Sequence, residues 1–303
     1  GEELENVVES IVSGTKLKKH SSPTIQSNAA VLPSFQRDNT DRNRTSPFAF
    51  SENKFEFRMT GSEMSIGDVC FVLNTIVAES LEQYADELEK ADDFDTALDA
   101  LIKRVFTQHQ RIIFNGDNYT DEWVTEAERR GLLNLSSTVE AAQYLAARKN
   151  LDLFEHHGIF TEVESLARYR IKLDEYSKII NIEALTMIDM ARRSIAPAVS
   201  AYCNDLADAA LSKKELGISV KAETDVLSKI SDLAGVLNDK IEALESAVLK
   251  ADEFTNSEQA NYFHDSVIPA MNELRLVADE LETMTAEEYW PFPSYGEMLF
   301  SVK

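Results

Sequence analysis

The chain has 303 residues, 44% apolar and 27% charged, a globular composition with room for one or two domains and a sizeable core. Its net charge of −23 is uneven: residues 1–60 hold eight basic and eight acidic side chains, leaving 22 basic against 45 acidic in the remainder. Such an acidic surface repels phosphate backbones and anionic lipid, which argues against nucleic acid and membrane as partners. The longest apolar runs, such as Val69–Leu73, fall far short of the about 20 residues that span a bilayer. The first residues are acidic and amphipathic, without a basic-then-apolar signal layout, so a cytoplasmic protein is expected. Cys70 and Cys203 sit among apolar neighbours in helical stretches and read as reduced core thiols, with a disulfide as the alternative. His20, His109, His156, His157 and His264 lack zinc-site spacing, and His156-His157 reads as a polar helix end before Gly158.

Glu2–Val12 predicts a short amphipathic helix stopped by Gly14. It opens abruptly at Gly1, which leads to the expectation of a fragment. Lys16–Asn39 is rich in Lys, Ser, Asn and Pro without a period and predicts a long loop, partly mobile around Lys16–Ser27. Lys54–Met59 alternates strictly, with Phe55, Phe57 and Met59 on one face and Lys54, Glu56 and Arg58 on the other. Few other segments alternate this well, so its sheet partners are expected to be missing from the chain.

From Ser62 onward the pattern is helical. Ser62 is the expected cap of a helix to about Lys90. A second helix is predicted from about Asp95 to Ile113, ending before Asn115-Gly116. Thr120 caps a short helix that Gly131 stops, and two more are predicted at Thr138–Arg148 and Asp152–His157. Thr161 and Glu164 form a capping box that opens one continuous helix over 162–215, roughly 80 Å long, if Pro197 only kinks it. In the next helix, about Val220 to Glu253, Leu227, Ile230, Ala234, Leu237, Ile241, Leu244 and Val248 form a heptad seam. A third helix runs to about Met284, and Pro269 should bend or delay it. Three such helices with short connections imply an antiparallel helical bundle. The aromatic, proline-rich tail Tyr289–Phe300 should be extended and dock back on the body.

The strand places Lys54, Glu56 and Arg58 about 7 Å apart in succession on one surface. Periodicity alone reads them as a salt-bridged, solvated sheet face. The sharper alternative is an anion site holding a divalent metal. Arginine forks match phosphate or carboxylate oxygens, and a carboxylate among them would hold Mg²⁺. Arg42 and Arg44, across the turn at Pro47, could close over that site. The chain has no glycine-rich phosphate loop, so a nucleotide site would have to be built from side chains.

Arg-Asn-Arg-Thr-Ser at 42–46 followed by Phe-Glu-Phe-Arg at 55–58 resembles the glutamine synthetase pattern. The fuller strings NRTSPFAF, NKFEFRM, IIFNGDNYTDEW, EAERRGLLNL, INIEALTMIDMA and YWPFPSYGEMLF resemble the type III branch and its helical C-terminal extension. The resemblance implies an ATP-dependent glutamate–ammonia ligase working through a glutamyl-phosphate intermediate, with Mg²⁺ or Mn²⁺. It gives Arg44 contact with ATP phosphates and the transferring phosphoryl group, and Lys54 a place near the nucleotide. It makes Glu56 a metal ligand and Arg58 the holder of the substrate glutamate's carboxylate. Ala49 stands where most family members carry a second arginine, and Lys54 replaces a frequent arginine. The family's other metal ligands, ammonium-site aspartate and flap glutamate would lie upstream, so the chain resembles the C-terminal portion of a longer enzyme. The implied fold is mainly α: a long antiparallel helical bundle attached to a remnant, an edge strand and flanking helices, of the α+β catalytic domain. Residues 1–90 would belong to the catalytic domain and 91–303 to the extension. The implied parent is a dodecamer of stacked hexameric rings. The reading from a different class is a non-catalytic helical assembly or interaction module.

Overall fold

Residues 2–16, 24–25, 35–36, 48–51, 54–57, 61, 64–114 and 117–300 are described by the structure, a computed structural model. They are mainly helical and fall into two units, Gly1–Leu135 and Ser136–Lys303. No helix among them is long and apolar enough to cross a membrane.

In Gly1–Leu135, α1 (Glu2–Ser13) ends where Gly14 takes a φ of 69°, as expected of that stop. It buries Val8 and packs on α3 (Phe94–Gln108), which buries Leu101. Within the expected loop, β1 (Thr24–Ile25) pairs antiparallel with β2 (Phe35–Gln36). The rest of residues 17–39 lies outside the described residues. The pair β3 (Phe48–Ser51) and β4 (Lys54–Phe57) forms a second antiparallel ladder. Here the sequence expectation is corrected: a partner of the alternating strand is present, and it is the segment immediately before it. Weak alternation in a four-residue stretch hid that partner.

The next helix, α2 (Ile66–Leu88), starts later than expected. Ser65, not Ser62, is its cap; the Gly67 N–H donates to Ser65 Oγ at 3.1 Å. Ser62 and Asn115-Gly116 lie outside the described residues. After α3, a single 3-10 turn (Gln110–Ile112) replaces the last helical turn expected there. Thr120 caps α4 (Asp121–Arg129), and Gly131, at a φ of 71°, follows its end.

Ser136–Lys303 begins with α5 (Thr138–Ala142), a 3-10 turn to Ala146 and α6 (Arg148–His156). The rings of His156 and His157 close this helix edge to face, 4.8 Å apart. The predicted capping box opens α7 (Glu162–Met190): Thr161 Oγ1 accepts from the Glu164 N–H at 3.3 Å, and Glu164 Oε2 accepts from the Thr161 N–H at 2.8 Å. A π-helical segment, Ala191–Ile195, then leads directly into α8 (Ala196–Glu215). The helix therefore continues through Pro197. Pro197 has no N–H to give the carbonyl of Arg193, and its ring would crowd that carbonyl in a regular turn. The wider turn, in which the Ala196 N–H bonds to the Ala191 carbonyl, absorbs both problems.

The same device recurs later. Between α10 (Asn256–Tyr262) and α11 (Ile268–Met284) lies a π segment, Phe263–Val267, with Pro269 in the same relation to it. The intervening α9 (Lys221–Ala251) packs against α7, α8 and α11. Its seam supplies the centre of the core: Ile230, Leu237 and Leu244 are fully buried, against Val199, Val267, Leu274 and Leu281. Ion pairs link neighbouring helices in reversed order. Arg192 pairs with Glu245 and Lys213 with Glu223; Lys229 pairs with Glu280 and Lys240 with Glu273. The tail is only partly as expected. Trp290 and Phe292 pack on the core, and the Tyr289 hydroxyl donates to the Asp205 carboxylate, which pushes Tyr289 up to about 12. Tyr295–Phe300, however, forms a short exposed helix, α12, in place of an extended strand.

Both cysteines are free. Cys203 is half-buried, and burial raises its thiol pKa, as suits a core thiol. Cys70 is exposed on α2, contrary to the core placement expected of it.

Candidate functional site

The β3–β4 hairpin carries the described part of the site. Its register sets Ser51 opposite Lys54 and Ala49 opposite Glu56. Opposed positions in an antiparallel ladder lie on the same face, so position 49 falls on the Glu56 side of the sheet.

Two residues apart on β4, Lys54 and Glu56 meet as alternation requires. Lys54 Nζ lies 3.3 Å from Glu56 Oε1, with the lysine side chain 64% exposed and the glutamate 32%. This is the salt-bridged face that periodicity alone predicts. At such exposure the pair contributes little to stability, about 0–1 kcal/mol. The same features suit a ligand role. A carboxylate is a hard oxygen donor, and a half-exposed one is reachable by a divalent ion once the lysine ammonium swings away. Glu56 would be one ligand of several, since Mg²⁺ needs six oxygens. Phe55 and Phe57, on the opposite face of β4, are 60% and 40% exposed. The structure thus brings Lys54 and Glu56 together. Arg42, Arg44 and Arg58 lie outside the described residues.

A second charged constellation in Gly1–Leu135 was not singled out in the sequence. An open cleft of about 410 Å³ is lined by Glu5 and Glu9 of α1 and by Arg111, Arg129 and Arg130. Two of these arginines are engaged by Glu126. Arg129 donates to it through Nε at 2.6 Å and Nη2 at 2.7 Å, and Arg130 through Nε at 2.5 Å. Arg129 first, and then Arg130, hold the Glu126 carboxyl down at about 2, from an ordinary 4.5. Arg130 also donates to the Ile113 carbonyl and lies over the Trp123 ring, which stacks on Phe114. The Arg-Arg doublet after Glu126 was the available signal, and what it builds is a structural clamp joining α4 to the turn after α3.

Comparison with known proteins follows the same lines. Residues 97–214 match the family described as the glutamine synthetase C-terminal domain. The chain is 38% identical over 99% of its length to a type-3 glutamine synthetase of Dictyostelium discoideum, covering 42% of that protein. It is 36% identical over its whole length to a glutamine synthetase of Butyrivibrio fibrisolvens, covering 44% of it. A glutamine synthetase of Bacteroides fragilis is 29% identical over 96% of the chain, which covers 41% of that relative. The chain thus spans less than half the length of the curated relatives it matches. The similarity to proteins named glutamine synthetase, one of them type 3, extends over nearly all of it.

Proposed function

We propose that this chain is the C-terminal portion of a type III glutamine synthetase, an enzyme that joins glutamate and ammonia at the expense of ATP. The observation that carries the reading is that nearly the whole chain, the Lys54–Glu56 strand included, aligns with a type-3 glutamine synthetase and with a second protein named glutamine synthetase. Residues 1–90 would be the end of the catalytic domain. Residues 91–303 would be a helical extension, and the reversed ion-pair order along α8, α9 and α11 supports an antiparallel bundle there. The parent would act in the cytoplasm as stacked hexameric rings.

In this reading each residue manages charge. Arg44 holds ATP phosphates and neutralises the transferring phosphoryl group, the main source of catalysis in such transfers. Lys54 adds a positive charge near the nucleotide but lacks an arginine's fork. Glu56 is one oxygen ligand of Mg²⁺ or Mn²⁺; the metal's chemistry is to screen phosphate charge. Arg58 fixes the glutamate carboxylate and so orients the attacked group. In the full-length parent, Glu56→Ala should abolish metal-dependent glutamine formation, while Arg58→Ala should mainly raise the KM for glutamate. Unchanged kinetics in both variants would remove these assignments.

A second reading has its own observation. Exposed apolar side chains on α7, Ile182 and Leu185 among them, suit a helical assembly module whose strand residues are inert. The isolated chain should then be helical by circular dichroism and make no glutamine. Glutamine synthesis by the isolated chain would refute this reading and the fragment reading together.

A further inference from the structure

A helix on the outside of a globular unit normally buries one face and wets the other. The longest uninterrupted helix before the π segment, α7, departs from that. One face buries Leu173, Ser177, Ala184 and Ile188. On the opposite face Ile182 is 63% exposed and Leu185 50%, with Ile171 and Ile179 exposed nearby. Among the described residues nothing covers the outer face, so its apolar side chains are open to contact with another molecule.

The charges around Ile182 and Leu185 identify the partner. Asp174, Lys178, Ile182, Leu185 and Asp189 follow one another on α7 at steps of 4, 4, 3 and 4 residues, so they lie along one side of the helix, and Arg193, four residues on in the π segment, bonds back to Asp189. Each acid bonds its neighbouring base. Lys178 Nζ lies 2.7 Å from Asp174 Oδ2, and Arg193 Nη1 lies 3.1 Å from Asp189 Oδ1. All four charged side chains are exposed.

Both the spacing and the chemistry are palindromic. Set a second copy antiparallel about a two-fold axis midway between Ile182 and Leu185. Ile182 then meets the second copy's Leu185, Lys178 meets its Asp189, and Asp174 meets its Arg193. Every apolar group faces an apolar group and every charge its opposite, at both ends of a stripe about 28 Å long. An isologous contact requires this self-complementarity, in which the same patch serves both subunits. The stripe is also neutral, with two acids and two bases, on a chain of net charge −23. The acidic excess lies in residues 61–303, so much of the surface around the stripe would repel a second copy.

We infer that the outer face of α7 is a two-fold docking surface for a second copy of this chain, centred on Ile182 and Leu185 and aligned by the Asp174–Lys178 and Asp189–Arg193 pairs. Apolar burial would give affinity, and the charge order would fix direction and register. The inference does not rest on the ligase reading. Loss of activity in Glu56 or Arg58 variants leaves it untouched, and its failure leaves that reading untouched.

The test is charge reversal with rescue, on the 303-residue chain, by sedimentation velocity across micromolar concentrations. The wild-type chain should self-associate reversibly to a dimer. An all-acidic stripe, Lys178→Glu with Arg193→Glu, and an all-basic stripe, Asp174→Lys with Asp189→Lys, should each weaken self-association at least about tenfold. Mixing the two in equal amounts should restore a dimer of wild-type strength. Leu185→Asp should weaken the dimer as well, and the mixture should not rescue it. Restoration on mixing also proves both reversed variants folded, since misfolded chains would not re-form the pair. A wild-type chain that stays monomeric overturns the inference. Reversed variants that associate like wild type, or a mixture that does not recover, overturn it too.

Discussion

α9 and α2 carry the same kind of apolar pattern and meet different fates. In Ser136–Lys303, the 31 residues of α9 bury six side chains, with Ile230, Leu237 and Leu244 wholly removed from solvent. In Gly1–Leu135, the 23 residues of α2 bury only Thr75. Val77 and Leu81, which share a stripe on α2, stay 53% and 62% exposed. The difference lies in what each unit offers as cover. The α9 seam is closed by α8 and α11, which the chain supplies within about thirty residues on either side, so burial there needs only short connections. Among the described residues, α2 meets mainly α3, which is too little to cover a 23-residue stripe. A periodic pattern states that a face needs burial; it does not state what buries it.

The sharpest way to break this comparison is to truncate one residue of each seam. Leu244→Ala should destabilise the helical unit by about 2–5 kcal/mol, since a wholly buried leucine leaves a cavity in a packed core. Leu81→Ala should change stability by no more than about 0.5 kcal/mol, because an exposed side chain loses little on truncation. Urea unfolding followed by helical circular dichroism reads both. Similar losses would mean that the α2 face is covered after all.

The seams were legible because helical packing is written at fixed spacing. All seven positions named from the heptad of α9 are buried or half-buried. Caps were legible where their hydrogen bonds are local, as at Thr120 and Thr161. The cap of α2 was missed because serines stand at both 62 and 65, and spacing does not choose between them. Pro197 and Pro269 announced disturbances, but whether a proline breaks, kinks or widens a helix depends on packing further along. Here α8 and α11 must both keep a face on α9, so widened turns preserve the helices. The site was legible as alternation in β4, which brings Lys54 and Glu56 together. Alternation could not give the phosphate, metal and glutamate roles, because those depend on groups outside the strand; resemblance supplied them. The palindrome on α7 is spread over 20 residues and becomes visible only when both faces of the helix are known.

A smaller effect separates local capping from the core. Thr161→Ala should cost about 1 kcal/mol, from loss of the side-chain half of the capping box at the start of α7. Thr161→Ser, which keeps the hydroxyl, should recover most of it. Thermal unfolding of the two variants beside wild type measures the difference. Equal behaviour of alanine and serine would show that α7 is held by packing alone and that its cap adds nothing.

The smallest expected effect tests Gly1–Leu135 through pH. Glu126 is held at about 2 in the folded chain, chiefly by the hydrogen bonds from Arg129 and then Arg130, against an ordinary 4.5. A carboxylate with a depressed folded pKa adds stability above its unfolded value and loses that contribution as pH falls toward the folded one. The clamp should therefore act fully above pH 4.5 and fade between there and about 2. Glu126→Gln removes the charge at every pH. The gap between variant and wild type, read as urea midpoints for the change in Trp123 fluorescence in a Trp290→Phe background, should be widest near neutrality and shrink toward the acid end of that window. The Glu126 side chain is partly exposed, so solvent screening keeps the gap small. A gap that does not narrow with acid would mean that the three side chains hold α4 to the turn after α3 by shape and hydrogen bonding, with no contribution from charge.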